Sequence, residues 1–446
     1  MEEALKRAEE LGASFADVRY TRVRTLVLVA NETREYVESN GVTEGALLRV
    51  LVDGDWGLVS LRREPRAEDA ERAVSNALGD RKSAVVYLKS KKAEVSLPLN
   101  PNPLNFSLEE KMKVVRRIRD EVMKLEGVKA VTVSYREVLH DKRYLSSDSR
   151  DVSQAYGYNG VSVTAVIKRG DLSLTVFDRF YSYKRFVLFD VADELIESMG
   201  RKVQEKMRAV SPKVGKFPVV MAPEVVGVFA HEAVGHLSEA DLAVSGIFSD
   251  KLGKPVASEI VSISDSPMVD DEQAIGSIVY DDEGVEARKV EIIKKGVLNE
   301  FLNDRYYAAY LGANPTGNAR AEGPISRPLV RMRNTHFEPG DSTREELVSE
   351  VNEGYLLVSM SGGQTNNDGT FQFGIDEAYE IVNGEVGRPV TFLGITGSTL
   401  ETLKRVSGVS KELEFSPGFC GKMGQTVPVS DGGPYVRVDE VRVGGV

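Results

Sequence analysis

The sequence predicts an α+β fold in three parts, on three observations. Helical and strand-like periodicities alternate through the first 90 or so residues. Two turn-rich stretches, "AEVSLPLNPNPLNFS" (93–107) and "SPKVGK" (211–216), punctuate the chain. After the second, most of the remainder reads as short strands separated by turns. The expected organisation is a small N-terminal α/β domain (1–92), a central α+β domain (107–212) and a large, mostly antiparallel β-rich C-terminal domain (216–446).

The elements follow in order. Ala4, Leu5, Ala8 and Leu11 make an apolar stripe at helical spacing over 2–12. "RTLVLVA" (24–30) reads as a strand, and "ALLRVLVDGDWGLVSL" (46–61) as a hairpin turning at Asp53-Gly54. "RAEDAERAVSNALG" (66–79) predicts a helix ending at its glycine. The 93–107 stretch is expected to be a linker. Ser107 then caps a helix over 108–125, with Glu110 completing a capping box. Strands are expected at 128–138, 160–168 and 172–182, and an amphipathic helix at 190–208. In the last part, Asn383-Gly384 predicts a tight hairpin turn. No fixed-period repeat is present.

Composition excludes several classes. The 446 residues carry a net charge of −11, which disfavours nucleic acid and anionic lipid as partners. No apolar run approaches the ~18 residues of a membrane span, and the charged "MEEALKRAEELG" start is unlike a secretory signal. A cytoplasmic protein is expected. The single cysteine, Cys420, rules out an intrachain disulfide and any Cys-rich zinc site.

"FAHEAVGHLSEAD" (229–241) holds two of the four histidines. His231 and His236 stand five residues apart, about 140° around a regular helix, whereas four residues would bring both to one ion. Gly235 offers a solution. A helix running from Pro223 to about Val234 can break there through a left-handed glycine and swing His236 back. Glu232 adjoins His231, where a carboxylate can take a proton from a zinc-bound water. Candidates for a third ligand are Cys420, His336, His140, Glu239 and Asp241. Of these, His336 reads more easily as a solvent-facing loop residue and His140 as a strand-end residue.

Taken together and in order, "EGALLRVLVDGDWGLVS", "HEAVGHLSEAD", "GNARAEGPISRPLVRMRNTHFEPGD" and "GFCGKMGQTVPVSDGGP" resemble the TldD/PmbA family of peptidases, on its metal-bearing side. The resemblance implies Zn2+ held by His231, His236 and Cys420, with Glu232 as catalytic base. It also implies hydrolysis of unfolded or extended peptides, in a homodimer or a heterodimer with a metal-free PmbA/TldE-like relative. A β-rich domain suits such substrates, since it can take an extended peptide as an added strand.

Weaker signals fill out the reading. Arg320 and Arg327 are candidates to bind a substrate carboxylate, because a guanidinium fork fits one. Tyr306 and Tyr307 are candidates to assist a tetrahedral intermediate. "DGDWG" starts like a calcium loop but places Leu58 where glycine is required, so a hairpin turn is the better reading. "SGGQTNNDGTFQFG" lacks the end of a phosphate loop and is expected to be a flexible turn lining a cavity. The alternatives to a zinc peptidase are a non-catalytic peptide-binding partner subunit and a small-molecule amidohydrolase.

Overall fold

The computed structural model describes residues 1–79 and 82–445. Its first half is built on one seven-stranded sheet. In spatial order the strands are Asp55–Leu61, Glu35–Val52, Phe15–Ala30, Val128–Ser146, Arg150–Arg169 and Lys91–Leu97, with Leu172–Ser182 also paired to Arg150–Arg169. Phe15–Ala30 pairs antiparallel with Val128–Ser146 along nearly its whole length, so residues from both expected N-terminal parts share one sheet. Lys91–Leu97 forms a parallel edge strand, and its residues 93–97 take up the first third of the stretch expected to be a linker.

Helices cover one face of this sheet. Glu2–Glu10 and Ala67–Ser75 set Ala4, Leu5, Ala8, Ala70 and Ala73 against Val18, Leu48 and Val50. Leu108–Met123 and Ala192–Arg208 bury Val115, Ile118, Leu195 and Met199 against Leu26, Leu28, Val133 and Val163. The predicted capping box is formed: Ser107 N–H donates to Glu110 Oε2 (2.8 Å) and Glu110 N–H to Ser107 Oγ (3.2 Å).

The second half is α+β and rich in strands. One six-stranded sheet runs Val297–Leu298, Val290–Lys294, Ile263–Ser266, Asn334–Phe337, Gln425–Gly433, Glu414–Lys422. Another runs Glu353–Thr365, Gly215–Met221, Val436–Gly445, Leu393–Ser398, Thr370–Val382. Because Thr370–Val382 also pairs with Glu353–Thr365, that second path closes into a barrel. Pairing is antiparallel except at Glu353–Thr365 with Gly215–Met221 and Asn334–Phe337 with Gln425–Gly433. The hairpin at Asn383-Gly384 is present, with both residues at positive φ (52° and 79°). "SGGQTNNDGTFQFG" is the end of a β-hairpin, with Glu353–Thr365 and Thr370–Val382 as its arms.

Between the barrel and the six-stranded sheet lies the helix Pro223–Ala230, packed against Glu353–Thr365 on one side and against Asn334–Phe337, Glu414–Lys422 and Gln425–Gly433 on the other. It is buried among apolar neighbours, Phe229 touching Phe337, Phe371 and Phe373. That burial explains why a valine-rich segment is helical here: packing outweighs the strand preference of its β-branched residues. No helix among the described residues is long and apolar enough to cross a membrane.

Candidate metal centre

Pro223 opens the central helix at its first turn. The helix does not break at Gly235. It widens: His231–Gly235 is a π turn closed by His236 N–H to His231 O, and a short α turn, His236–Ser238, continues it. An i→i+5 bond sets residues five apart one above the other, so the spacing that misaligns two histidines on an α-helix aligns them on a π turn. Gly235 has ordinary right-handed φ and ψ (−58°, −57°), which corrects the expectation of a left-handed break. Its role is steric. A Cβ there would lie 2.0 Å from Met332 Sδ.

The histidine rings stand perpendicular, centroids 4.9 Å apart. Cys420, on the edge strand Glu414–Lys422, brings its Sγ to 3.4 Å from His236 Nε2. The ligand atoms of His231, His236 and Cys420 all lie within 4.8 Å of one another. Each imidazole is fixed from behind: His231 Nδ1 meets Asp431 Oδ1 at 2.7 Å, and His236 Nδ1 meets Glu239 Oε2 at 3.0 Å. Both rings therefore turn Nε2 toward the thiol. Lys422 Nζ donates to Glu239 (3.0 Å), to Asp241 (2.7 Å) and to the carbonyl of Val330 (3.1 Å).

Close backbone approach makes this possible. A Cβ on Gly227 would sit 2.5 Å from the backbone nitrogen of Gly432 and 2.6 Å from the carbonyl carbon of Asp431. Helix and strand thus touch at their backbones, which is how Asp431 reaches His231 one helical turn further on.

The residues fit zinc. Bonds of about 2.3 Å to sulfur and 2.0–2.1 Å to nitrogen, at a tetrahedral angle, put sulfur and nitrogen about 3.5 Å apart, close to the 3.4 Å found. Two imidazoles and a thiolate make a three-ligand set, and carboxylates on the far ring nitrogens are the usual support for such ligands. Charge agrees. Burial alone would raise the Cys420 thiol, but His231 and His236 outweigh it and bring it down to about 5. Burial likewise opposes the charged form of His236, yet Glu239 and Cys420 push it up to about 10, and Asp431 and Cys420 raise His231 well above the usual range. Four acidic groups, Cys420, Asp431, Glu239 and Asp241, thus contact the two imidazoles and Lys422, and a dication that displaced the imidazole protons would keep them countered.

Glu232 is largely buried beside the cluster, and burial raises its carboxyl above the ordinary range. Tyr307 belongs to the surroundings: burial, then the charges of Asp241 and Asp304, push its phenol up to about 12. Of the other residues weighed, Glu239 supports a ring and Asp241 holds Lys422. His336 lies buried in Asn334–Phe337 with Nδ1 on the carbonyl of Asn334 (3.1 Å), and His140 sits well inside Val128–Ser146, stacked on Tyr156. Neither is the loop or strand-end residue expected, and neither joins the cluster. Arg327 is exposed, near Met423 Sδ (3.7 Å), whereas Arg320 is buried and donates to the carbonyl of Met332 (2.7 Å). Sequence reasoning had no signal for Asp431 or Lys422 as supports, because only the fold brings them to the histidines.

Residues 214–445 match the profile of the PmbA/TldA metallopeptidase C-terminal domain, and residues 101–209 that of the central domain. A zinc metalloprotease TldD homolog from Saccharolobus solfataricus is 40% identical over 99% of both chains. The chain belongs to the TldD/PmbA family. It is accordingly a metallopeptidase. A metalloprotease from Methanothermobacter thermautotrophicus is 34% identical over 97% of this chain and 95% of its own. Among solved structures, TldE from Thermococcus kodakarensis superposes with a TM-score of 0.78 over 100% of both chains at 22% identity. A chain from Thermotoga maritima described as a candidate modulator of a DNA gyrase superposes at 0.82 over 99% of both at 21%. These two likenesses are of fold.

Proposed function

We propose that the protein is a zinc peptidase acting on unfolded or extended peptides, with His231, His236 and Cys420 holding the metal and Glu232 serving as base. One observation carries this reading: three ligand atoms within 4.8 Å of one another, with a carboxylate behind each imidazole. Zinc, when bound, supplies Lewis acidity that polarises a peptide carbonyl and makes a water acidic near neutral pH. The chain's own residues do the rest. Asp431 and Glu239 accept the Nδ1–H of the two imidazoles, which fixes each ring so that Nε2 is the nitrogen that would face the metal once its proton is displaced. Glu232 takes the proton from the attacking water and delivers it to the departing amine, and its raised carboxyl suits that exchange.

The turn-proximal end of Glu414–Lys422 is exposed at Phe419 and Gly421, which leaves room for an extended substrate to pass beside Cys420 and be read by its backbone more than by its side chains. Arg327, exposed near Met423, is placed to meet a substrate carboxylate. The likeness to TldE supports a pairing of this chain with a metal-free relative or a second copy, and we place both in the cytoplasm.

The test is hydrolysis of an unstructured peptide by chelated and zinc-reconstituted protein, beside a dipeptide and a folded protein. Activity should vanish on chelation, return with zinc and favour the long unstructured substrate. Undiminished cleavage after complete zinc removal would overturn the reading.

A further inference from the structure

A polar cavity of about 190 Å³ lies where three parts of the fold meet. The first sheet brings Asp178 and Arg179 to it, on Leu172–Ser182, and the helix Ala192–Arg208 brings Lys202. The barrel supplies Ser359 and Asp376, the six-stranded sheet Ser416, and the central helix Glu224. Glu224 stands seven residues before His231, ~10 Å along the helix. Neither histidine of the metal cluster lines the cavity, nor does Cys420.

Most of the charges here are already paired. Lys202 Nζ meets Asp178 Oδ1 at 3.1 Å, and Lys206 pairs with Asp376. Two are not. Arg179 commits Nε to the carbonyl of Pro417 (2.7 Å), but it has no carboxylate partner, and both of its Nη atoms are unbonded among the described residues. Glu224 accepts the Met360 N–H at Oε1 (3.3 Å), but it has no cation of its own, and Oε2 is unbonded among the described residues. The hydroxyls of Ser359 and Ser416 and the side-chain amide of Gln273 line the same cavity, and they too make no hydrogen bond among the described residues.

A guanidinium with both Nη atoms free can take a carboxylate through two parallel N–H donors, and a free carboxylate oxygen can take an ammonium. Arg179 and Glu224 are not paired with each other, so they offer these as two separate poles of one space. The two hydroxyls and the Gln273 amide add donors and acceptors suited to a peptide group. A molecule with one carboxylate, one ammonium and one peptide group is a free dipeptide. The volume, equal to about six waters at ~30 Å³ each, suits a dipeptide of small residues and not a longer chain. We propose that this cavity is a binding site for free dipeptides of small residues, the terminal carboxylate on Arg179 and the terminal ammonium on Glu224. Only the source of the ligand rests on the peptidase assignment, since short peptides are what a peptidase releases. The site itself does not depend on which residues hold the metal.

Glycylsarcosine, whose N-methylated peptide bond resists hydrolysis, is the probe, titrated calorimetrically into the metal-loaded protein. It should bind saturably. Its N-acetyl and C-terminal amide derivatives each lack one charge and should bind at least about tenfold more weakly. No binding, or equal binding of all three, would overturn the proposal. Glu224→Gln keeps an acceptor for the Met360 N–H, so it should keep the melting temperature while losing about tenfold in affinity, and Arg179→Gln should lose as much. Binding should also survive removal of the metal. Binding that vanishes on chelation and is unaltered in both variants would place the dipeptide at the metal centre and contradict the site. Crystals soaked in glycylsarcosine should show it spanning Arg179 and Glu224, and a cavity holding only water would count against it.

Discussion

Glu232 leaves the same π turn that presents His231, so one backbone feature aims a metal ligand and a base together. Glu232→Gln keeps the shape and loses the proton acceptor. It should lower kcat on an unstructured peptide by about 10²–10⁴-fold while leaving zinc content unchanged. Near-normal turnover by that variant would remove Glu232 from the mechanism. Asp431 acts one step back, through His231 Nδ1 at 2.7 Å. Asp431→Asn should weaken zinc binding about 10–100-fold, read by competition with a chelator, with a smaller effect on activity at saturating zinc. Equal zinc affinity in variant and wild type would show that the ring needs no such support.

At the scale of elements, the π turn and the helix–strand contact carry the site. Gly227 faces backbone atoms of Asp431 and Gly432 that cannot move aside as a side chain can. Gly227→Ala should therefore push Gln425–Gly433 away and cost about 1–3 kcal/mol in a denaturant melt, with zinc affinity falling in parallel. An unchanged melt would mean that the contact is looser than it stands here. What the sequence revealed divides along the same line. The capping box at Ser107 and Glu110 and the turn at Asn383-Gly384 were legible, because both are written in residues at most three apart. The grouping of His231, His236 and Cys420 was legible, while the backbone geometry between the two histidines was mistaken. A glycine beside a helix end suggests a left-handed cap, and only tertiary packing reveals that Gly235 makes room for Met332. Likewise, the start of the 93–107 stretch read as a linker because the strand that pairs with residues 93–97, Arg150–Arg169, lies some 60 residues away.

Across the whole molecule, the first sheet is bolted to the metal-bearing half by buried polar contacts: Lys142 to Asp282 at 2.8 Å, Arg49 to Glu283 at 2.7 Å, and Gln154 Nε2 to the carbonyl of Tyr280 at 2.6 Å. None of these pairs was legible in the sequence, since each joins residues more than 100 apart. Burial alone would raise the Asp282 carboxyl, but Lys142 and Arg19 bring it down to about 2. A carboxyl lowered on folding contributes stability above its unfolded value near 3.9, and that stability is lost as pH falls toward 2. Melting temperatures should accordingly drop between about pH 4 and pH 2. Asp282→Asn, which leaves Lys142 without its partner, should cost about 3 kcal/mol at neutral pH and flatten that part of the acid profile. An acid profile identical to wild type would place the acid sensitivity elsewhere.

The central claim is that two histidines five apart and a cysteine 184 residues beyond the second make one metal site. Zinc content per chain, measured on dialysed wild type beside Cys420→Ala, tests it most directly. The account predicts about one zinc in wild type and sharp loss in the variant. Full zinc retention by Cys420→Ala, or no zinc in wild type after reconstitution, would contradict it.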